Sequence, residues 1–279
     1  MLIDAFNVWL CVGDESVATI KAIIDGLHSA SLILDDIEDG SLLRRGKPAT
    51  HIVFGQAQAI NSANFMFVEA VRAAGMLRNK YAVPLVLEAL ECLYLGQSWD
   101  LHYKHNTVCP TKDAYLTMVD NKTGGLFRML LQLTVAESGR ACEVNFDRLT
   151  VLFGRFFQIR DDYMNLCSTS YSEQKGFCED LDEGKLSYPI VHMLHEDPHA
   201  TGILDVFRQH AGTAPLSVET KLRILGRLRQ SGSLSHTLQY LCKLELECEE
   251  EISRLEGCFG EPNPLLRLVL VKLSMREAA

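Results

Sequence analysis

Two groups of carboxylates have the spacing to do chemistry. Asp35, Asp36, Glu38 and Asp39 fall in "LILDDIEDGSLLRRGKP" (32–48), and Asp161 and Asp162 fall in "FFQIRDDYMNL" (156–166). On a helix, Asp35 and Asp39 stand one turn apart on the same face, with their β-carbons about 5–6 Å from each other. Two acids so placed repel, and the repulsion grows as water is withdrawn, so each group needs a positive partner. Every ligand offered is a hard oxygen, with no Cys or His at metal spacing beside it, which favours Mg²⁺ or Mn²⁺ over zinc. A Mg²⁺ ion held by few carboxylates keeps positions open for phosphate oxygens. The expected substrate therefore carries a diphosphate or triphosphate.

Basic residues accompany both groups. Arg44, Arg45 and Lys47 follow the first after an expected helix exit at Gly40-Ser41. Arginine forks match phosphate oxygens, and adjacent arginines pointing to opposite sides can serve two different phosphate groups. "NKTGG" (121–125) offers Lys122 and Thr123 beside two glycines that would let backbone approach a phosphate, though it lacks the spacing of a Walker A loop. Lys175 and Lys185 flank the acidic "CEDLDEG" and are expected to close over a phosphate as a lid. Both acid groups follow apolar runs, so the cavity suits a diphosphate head on a hydrocarbon tail.

The elements that must position these residues are helical. Apolar residues recur at helical spacing along nearly the whole chain, strand-like alternation is scarce, and the eight prolines fall mostly at helix boundaries. We expect about ten helices in one all-α domain spanning 1–279. With 279 residues and 47% apolar content the chain can bury a large core, and a net charge of −9 argues against a nucleic-acid binder. Nine cysteines without a Cys-x-x-Cys pair fit reduced thiols in a cytoplasmic setting. No run of about 18 apolar residues is present to span a bilayer. The pairs His102/His105 and His192/His195 have helical spacing but no third ligand, and are expected to pack or face solvent.

Taken in order, "LHSASLILDDIEDGSLLRRGKPATH", "GQAQAINSAN", "GQSWDL", "KTGGLF", "FFQIRDDYMNL" and "KGFCEDLDEGKLSYPIVH" resemble the trans-isoprenyl diphosphate synthases, especially the geranylgeranyl diphosphate synthases of animals and fungi. The resemblance implies the isoprenoid synthase fold, helices around a deep central cavity, usually in a homodimer. It also implies three Mg²⁺ ions, with Asp35, Asp39 and Asp161 as metal ligands and Asp36 in support. Arg44, Lys122, Thr123, Gln158, Lys175 and Lys185 would hold or assist the allylic diphosphate, with Lys122 also counted among the catalytic groups. His28 and Arg45 would serve isopentenyl diphosphate, and Gln97 and Asp100 would line the cavity near the metals.

The reaction so implied condenses isopentenyl diphosphate with an allylic diphosphate, farnesyl diphosphate being the expected one, to give geranylgeranyl diphosphate. Small residues at Ala30 and Ser31 would let the product pass fifteen carbons, and a deeper barrier would lie at Phe67, Val68 and Tyr94. A C20 product is expected, with C25 open because of Val68. Relatives carry a Gly-Lys-x-x-Arg element upstream of the segment that here reads "LIDAFNVWL", and this chain begins at Met1 without it. A truncated sequence, a piece of a longer chain and a short protein of weak activity are all compatible with that. Two alternatives stand beside the synthase: a terpene cyclase of the same fold, which has no use for a second diphosphate pocket, and a non-catalytic subunit of a prenyl synthase.

Overall fold

The structure, a computed structural model, describes residues 1–139, 144–168, 176–210 and 215–276. Helices dominate it. In chain order they are α1 (Leu2–Leu10), α2 (Asp14–Asp39), α3 (Thr50–Phe54), α4 (Gln56–Ala74), α5 (Ala82–Asn106), α6 (Lys112–Lys122), α7 (Gly124–Glu137), α8 (Asp147–Cys167) and α9 (Glu179–Asp182). They continue as α10 (Tyr188–Glu196), a 3-10 turn (Pro198–Thr201), α11 (Gly202–His210), α12 (Val218–Gln230), α13 (Ser233–Phe259) and α14 (Pro264–Leu273). The count exceeds the expected ten because helices as short as α3 and α9 are too brief to show a periodic apolar stripe.

The all-α expectation holds, with one short two-stranded hairpin among the described residues. Leu43–Arg44 (β1) pairs antiparallel with Lys47–Pro48 (β2), Arg44 facing Lys47. The two-residue loop between them, Arg45-Gly46, has φ of 55° and 74°. Two successive positive φ values make the mirror-image turn whose twist suits a tight hairpin. Arg45 takes the strained first position without the Asn or Asp that usually marks such a turn.

The buried apolar side chains form one contiguous core. α2 packs mainly on α4 and also on α7, α5 packs on α6 and α7, and α8 lies between α7 and α13. α2 is the one described helix with the length and hydropathy of a membrane span. Its apolarity is accounted for within the fold, since Ile20, Ile23 and Leu27 are buried in the core while its C-terminal half walls a cavity. Trp9 stacks on Phe259 at 4.8 Å, and Asn263 donates to the Ala5 carbonyl at 2.8 Å, tying α1 to α13 and α14. No disulfide forms among the described cysteines.

Candidate active site

The last turns of α2 present His28, Ser31, Asp35 and Asp39 along one wall of a cavity of about 390 Å³. This is the i, i+3/i+4 face that the spacing requires. α2 stops because Gly40 adopts φ 70° and its N–H closes on Asp36 and Ile37, which turns the chain into the β1–β2 hairpin. The opposite wall carries Gln158 and Asp161 from α8, with Lys122 and Thr123 from the α6–α7 junction. Asp180, Glu183 and Lys185 close one side, and the far end is apolar, with Phe67, Leu93, Tyr94, Leu126, Phe127 and Phe157.

The α6–α7 junction reaches the cavity through two close approaches. A β-carbon on Gly96 of α5 would stand 2.2 Å from the Lys122 nitrogen and 2.7 Å from its Cα. One on Gly154 of α8 would stand 2.8 Å from the Cα of Gly124. The junction is thus wedged between α5 and α8 with no room for a side chain on either. Gly124 and Gly125 are buried against Gly154 and Leu93, so they serve this packing, and neither lines the cavity.

Each cation of the cavity is held by an acid. Arg44 donates from Nε to Asp36 Oδ1 at 2.8 Å, with a second bond from Nη2, and its Nη2 lies 3.6 Å from Asp35 Oδ2. Lys122 Nζ donates to Asp100 Oδ2 at 2.5 Å and to Asp35 Oδ1 at 3.4 Å. Lys185 Nζ pairs with Asp162 Oδ1 at 3.0 Å and Asp180 Oδ2 at 3.2 Å. Asp162 has no exposed surface and is further fixed by the Tyr115 hydroxyl, by the Tyr188 N–H at 2.9 Å and by Gln158 Nε2 at 3.0 Å. Gln158 in turn accepts from the Thr123 hydroxyl at 2.7 Å.

The acids of α2 respond to this setting in opposite directions. Burial pushes the Asp35 carboxyl up, but Lys122, Arg44 and Lys185 together outweigh it and bring it down to about 2. Asp39 is raised by its own burial and by Asp35, despite the ammonium of Lys104 bonded to it. Burial and the neighbouring Asp39 and Asp180 raise Glu183 well above the usual carboxylate range. Burial, then Arg45, lowers His28.

These oxygens suit a divalent hard cation. Asp35, Asp39 and Asp161 face one cavity, and Asp35 is firmly ionised. Among the described residues no three His, Cys, Asp or Glu side chains converge closely enough to enclose a metal. An ion here would take its remaining ligands from water and from a phosphate, as Mg²⁺ prefers.

Of the residues singled out from sequence, Asp35, Asp39, Asp161, Lys122, Thr123, Gln158, Lys185, Arg44, His28, Ser31, Phe67 and Tyr94 all line this cavity. Four others do not. Asp36 is buried behind Arg44, Arg45 is exposed at the hairpin tip, and Ala30 is fully buried off the cavity wall. Val68 is 63% exposed, because the residue after Phe67 points about 100° away around the same helix. Lys175 lies outside the described residues. Gln97 lines the wall as expected and donates to Glu38 at 2.6 Å and Asp35 at 3.2 Å, whereas Asp100 sits behind Lys122. Sequence reasoning missed Lys104 on Asp39, and it read the acids of "CEDLDEG" only as spacers between two lysines. His195 Nε2 bonds to the Pro110 carbonyl at 2.8 Å, His192 stacks on His236, and neither joins the cavity.

Comparison with known proteins gives the chain its place. The family model described as polyprenyl synthetase matches residues 1–223. A "Sesterfisherol synthase" from Neosartorya fischeri is 56% identical over 282 residues, covering 99% of this chain and 37% of that protein. A "Bifunctional terpene synthase FUP1" from Fusarium proliferatum is 54% identical over 287 residues, covering all of this chain and 38% of that protein. A "Geranylgeranyl pyrophosphate synthase 3" from Zymoseptoria tritici is 47% identical over 272 residues, covering 97% of this chain and 75% of that protein. This chain thus spans about two fifths of the length of its terpene-synthase relatives. The helical architecture is the all-α isoprenoid synthase fold. The chain belongs to the polyprenyl synthetase family.

Proposed function

We propose that this chain ionises a prenyl diphosphate as part of a terpene-forming enzyme, and that it is the part that elongates the prenyl chain with isopentenyl diphosphate. The observation that carries the reading is the division of one cavity into a polar end, where Asp35, Asp39 and Asp161 meet Lys122, Arg44 and Lys185, and an apolar end. The names of the relatives weigh toward a terpene synthase over a free-standing geranylgeranyl diphosphate synthase, and the word "bifunctional" in one of them admits an elongating part beside a cyclising one.

Asp35, Asp39 and Asp161 would hold Mg²⁺, three ions in the full cluster, which when bound supplies positive charge to the leaving diphosphate. Lys122, Arg44 and Lys185 add their own charge to its oxygens, and Thr123 and Gln158 fix the junction beside them. The allylic C–O bond breaks with its electron pair leaving on the diphosphate. The isopentenyl double bond attacks the allylic carbon, and the proton then lost passes to the departed diphosphate. Leu93, Leu126, Phe127 and their neighbours keep water from the cation. His28 and Arg45 hold the second diphosphate. Phe67 and Tyr94, with ring centroids 5.7 Å apart, form the floor that sets a C20 product. A cytoplasmic homodimer belongs to the same proposal, supported by the absence of a disulfide among the described cysteines and by exposed Phe65, Val68, Leu87 and Leu95 on α4 and α5.

A second reading is supported by the same names: the cavity itself cyclises a prenyl diphosphate. One experiment separates the two. Purified protein is incubated with Mg²⁺, farnesyl diphosphate and isopentenyl diphosphate, and in parallel with Mg²⁺ and geranylgeranyl diphosphate alone. A longer linear diphosphate supports elongation, and chelation of the metal should abolish it. A cyclic hydrocarbon from the second mixture supports cyclisation instead. Neither product from a folded protein overturns the enzyme reading for this chain.

A further inference from the structure

We propose that Lys104 is a built-in counter-cation to the metal site: its ammonium holds and part-neutralises Asp39 while no divalent ion is bound, and it weakens metal binding until a diphosphate arrives. The inference rests on the reading of Asp35 and Asp39 as metal ligands.

Lys104 lies 65 residues from Asp39 in sequence, on α5, yet its ammonium bonds directly to Asp39 Oδ1. Both side chains are largely buried, at 16% and 14% exposure. Lys104 differs from the other cations here. Arg44, Lys122 and Lys185 line the cavity and have phosphate oxygens to bind, but Lys104 does not line it. Its charge is directed at a carboxylate. α5 carries Gln97, Asp100 and Lys104 at spacings of three and four, one face of the helix. Gln97 donates to Asp35 and Glu38, Asp100 accepts from Lys122, and Lys104 holds Asp39. One face of α5 thus sets the geometry of the acid pair and of the first phosphate lysine. Glu183 and Asp100, both acidic, also bear on Lys104, and the Lys122 ammonium bears on Asp39 from farther away, without the direct bond that Lys104 makes.

Electrostatics then fixes the direction of the effect. Without a metal, Asp35 and Asp39 would repel across one helical turn, and Lys104 offsets that repulsion on the Asp39 side as Lys122 and Arg44 do on the Asp35 side. A divalent ion on Asp39 meets the same ammonium within several ångströms, and in a partly buried site that repulsion is worth about tenfold or more in affinity. A bound diphosphate brings enough negative charge to cancel most of it. Lys104 is therefore a positioning residue, acting through Asp39 and coupling metal affinity to the presence of substrate.

The test is Mn²⁺ binding followed by electron paramagnetic resonance, with and without inorganic pyrophosphate, with folding checked by circular dichroism. Lys104→Gln should bind Mn²⁺ about tenfold more tightly than the original protein in the absence of pyrophosphate, with the gap narrowing when pyrophosphate is present. Lys104→Arg keeps the charge and should stay within threefold of the original. Asp39→Asn should lose most Mn²⁺ binding in either condition. Unchanged or weaker binding in Lys104→Gln overturns the proposal while leaving the metal site in place, as does a Lys104→Arg variant that departs more than threefold. An original protein that binds no Mn²⁺ at all, or an Asp39→Asn variant that binds as well as it does, overturns the reading of the acid pair and the inference with it.

Discussion

Replacing Gly96 by alanine adds a single carbon where the structure has no room for one. Its β-carbon would stand 2.2 Å from the Lys122 nitrogen, 2.7 Å from Lys122 Cα and 2.9 Å from the Asn121 carbonyl carbon, and ordinary contact begins near 3.4 Å. All three atoms are backbone, so no side chain can swing aside. α5 must part from the α6–α7 junction by more than an ångström, which carries Lys122 and Thr123 with it. Overpacking of this kind costs about 1–3 kcal/mol of stability. A shift of about 1 Å in groups that align a reacting diphosphate can cost about a hundredfold in rate. We expect Gly96→Ala to fold with a lowered Tm and to lose about two orders of magnitude in kcat for diphosphate ionisation. Gly26→Ala is the matched control. It adds the same carbon to the interior of α2, where nothing lies within 4 Å, and should stabilise by about 0.5–1 kcal/mol. Thermal melts and steady-state kinetics on both variants decide the matter. A Gly96→Ala enzyme with unchanged Tm and unchanged kcat would refute the claim that this glycine positions Lys122.

Three further outcomes are expected. Asp36→Ala frees Arg44 from its closest carboxylate and leaves it the 3.6 Å approach to Asp35 and the more distant Glu179, so KM for the allylic diphosphate should rise about tenfold and stability should fall by about 1–3 kcal/mol, read by kinetics and urea melts. Burial and the stacked His236 ring, with centroids 3.8 Å apart, push His192 down to about 4. Because the unfolded chain takes up this proton near pH 6.5 and the folded one does not, the associated stability is fully present above pH 6.5 and falls as pH drops toward 4. Relative to His192→Asn, the original protein should lose on the order of 2 kcal/mol between pH 7 and pH 4.5 in urea melts. Phe67→Ala removes one ring of the pair lining the cavity and, on the proposed chain-length role, should lengthen the product by at least one C5 unit, measured by mass spectrometry.

How much of this was legible in the sequence depends on whether a relation is local. The Asp35/Asp39 face follows from helix geometry alone, and so does the halt at Gly40, where only a residue tolerant of positive φ closes the helix. In the second acid group local geometry allows one carboxylate to face the cavity, but spacing does not say which; the resemblance picked Asp161, and the structure puts Asp161 on the wall and Asp162 fully inside, among Tyr115, Gln158 and Lys185. The hairpin at Arg44–Lys47 escaped because Arg-Gly is not the usual pair for two positive φ values. The Lys104–Asp39 pair and the Gly96–Lys122 contact join residues 65 and 26 positions apart, and no periodicity reports a contact made between helices.

The long-range contacts follow one physical rule. A cation that is to meet a diphosphate in a partly buried cavity must stay charged and aimed before the diphosphate arrives, and an isolated buried ammonium does neither. Here Asp36 holds Arg44, Asp100 holds Lys122, and Asp162 holds Lys185. None of these three acids lines the cavity, so a bound diphosphate has no reason to displace them. Burial lowers the pKa of Lys122 and of Lys185, but the neighbouring acids outweigh it and raise both. Asp35 takes part in this arrangement, since Lys122, Arg44 and Lys185 keep its carboxyl ionised, while Asp39, one turn on, is raised by burial and by Asp35 even with Lys104 bonded to it.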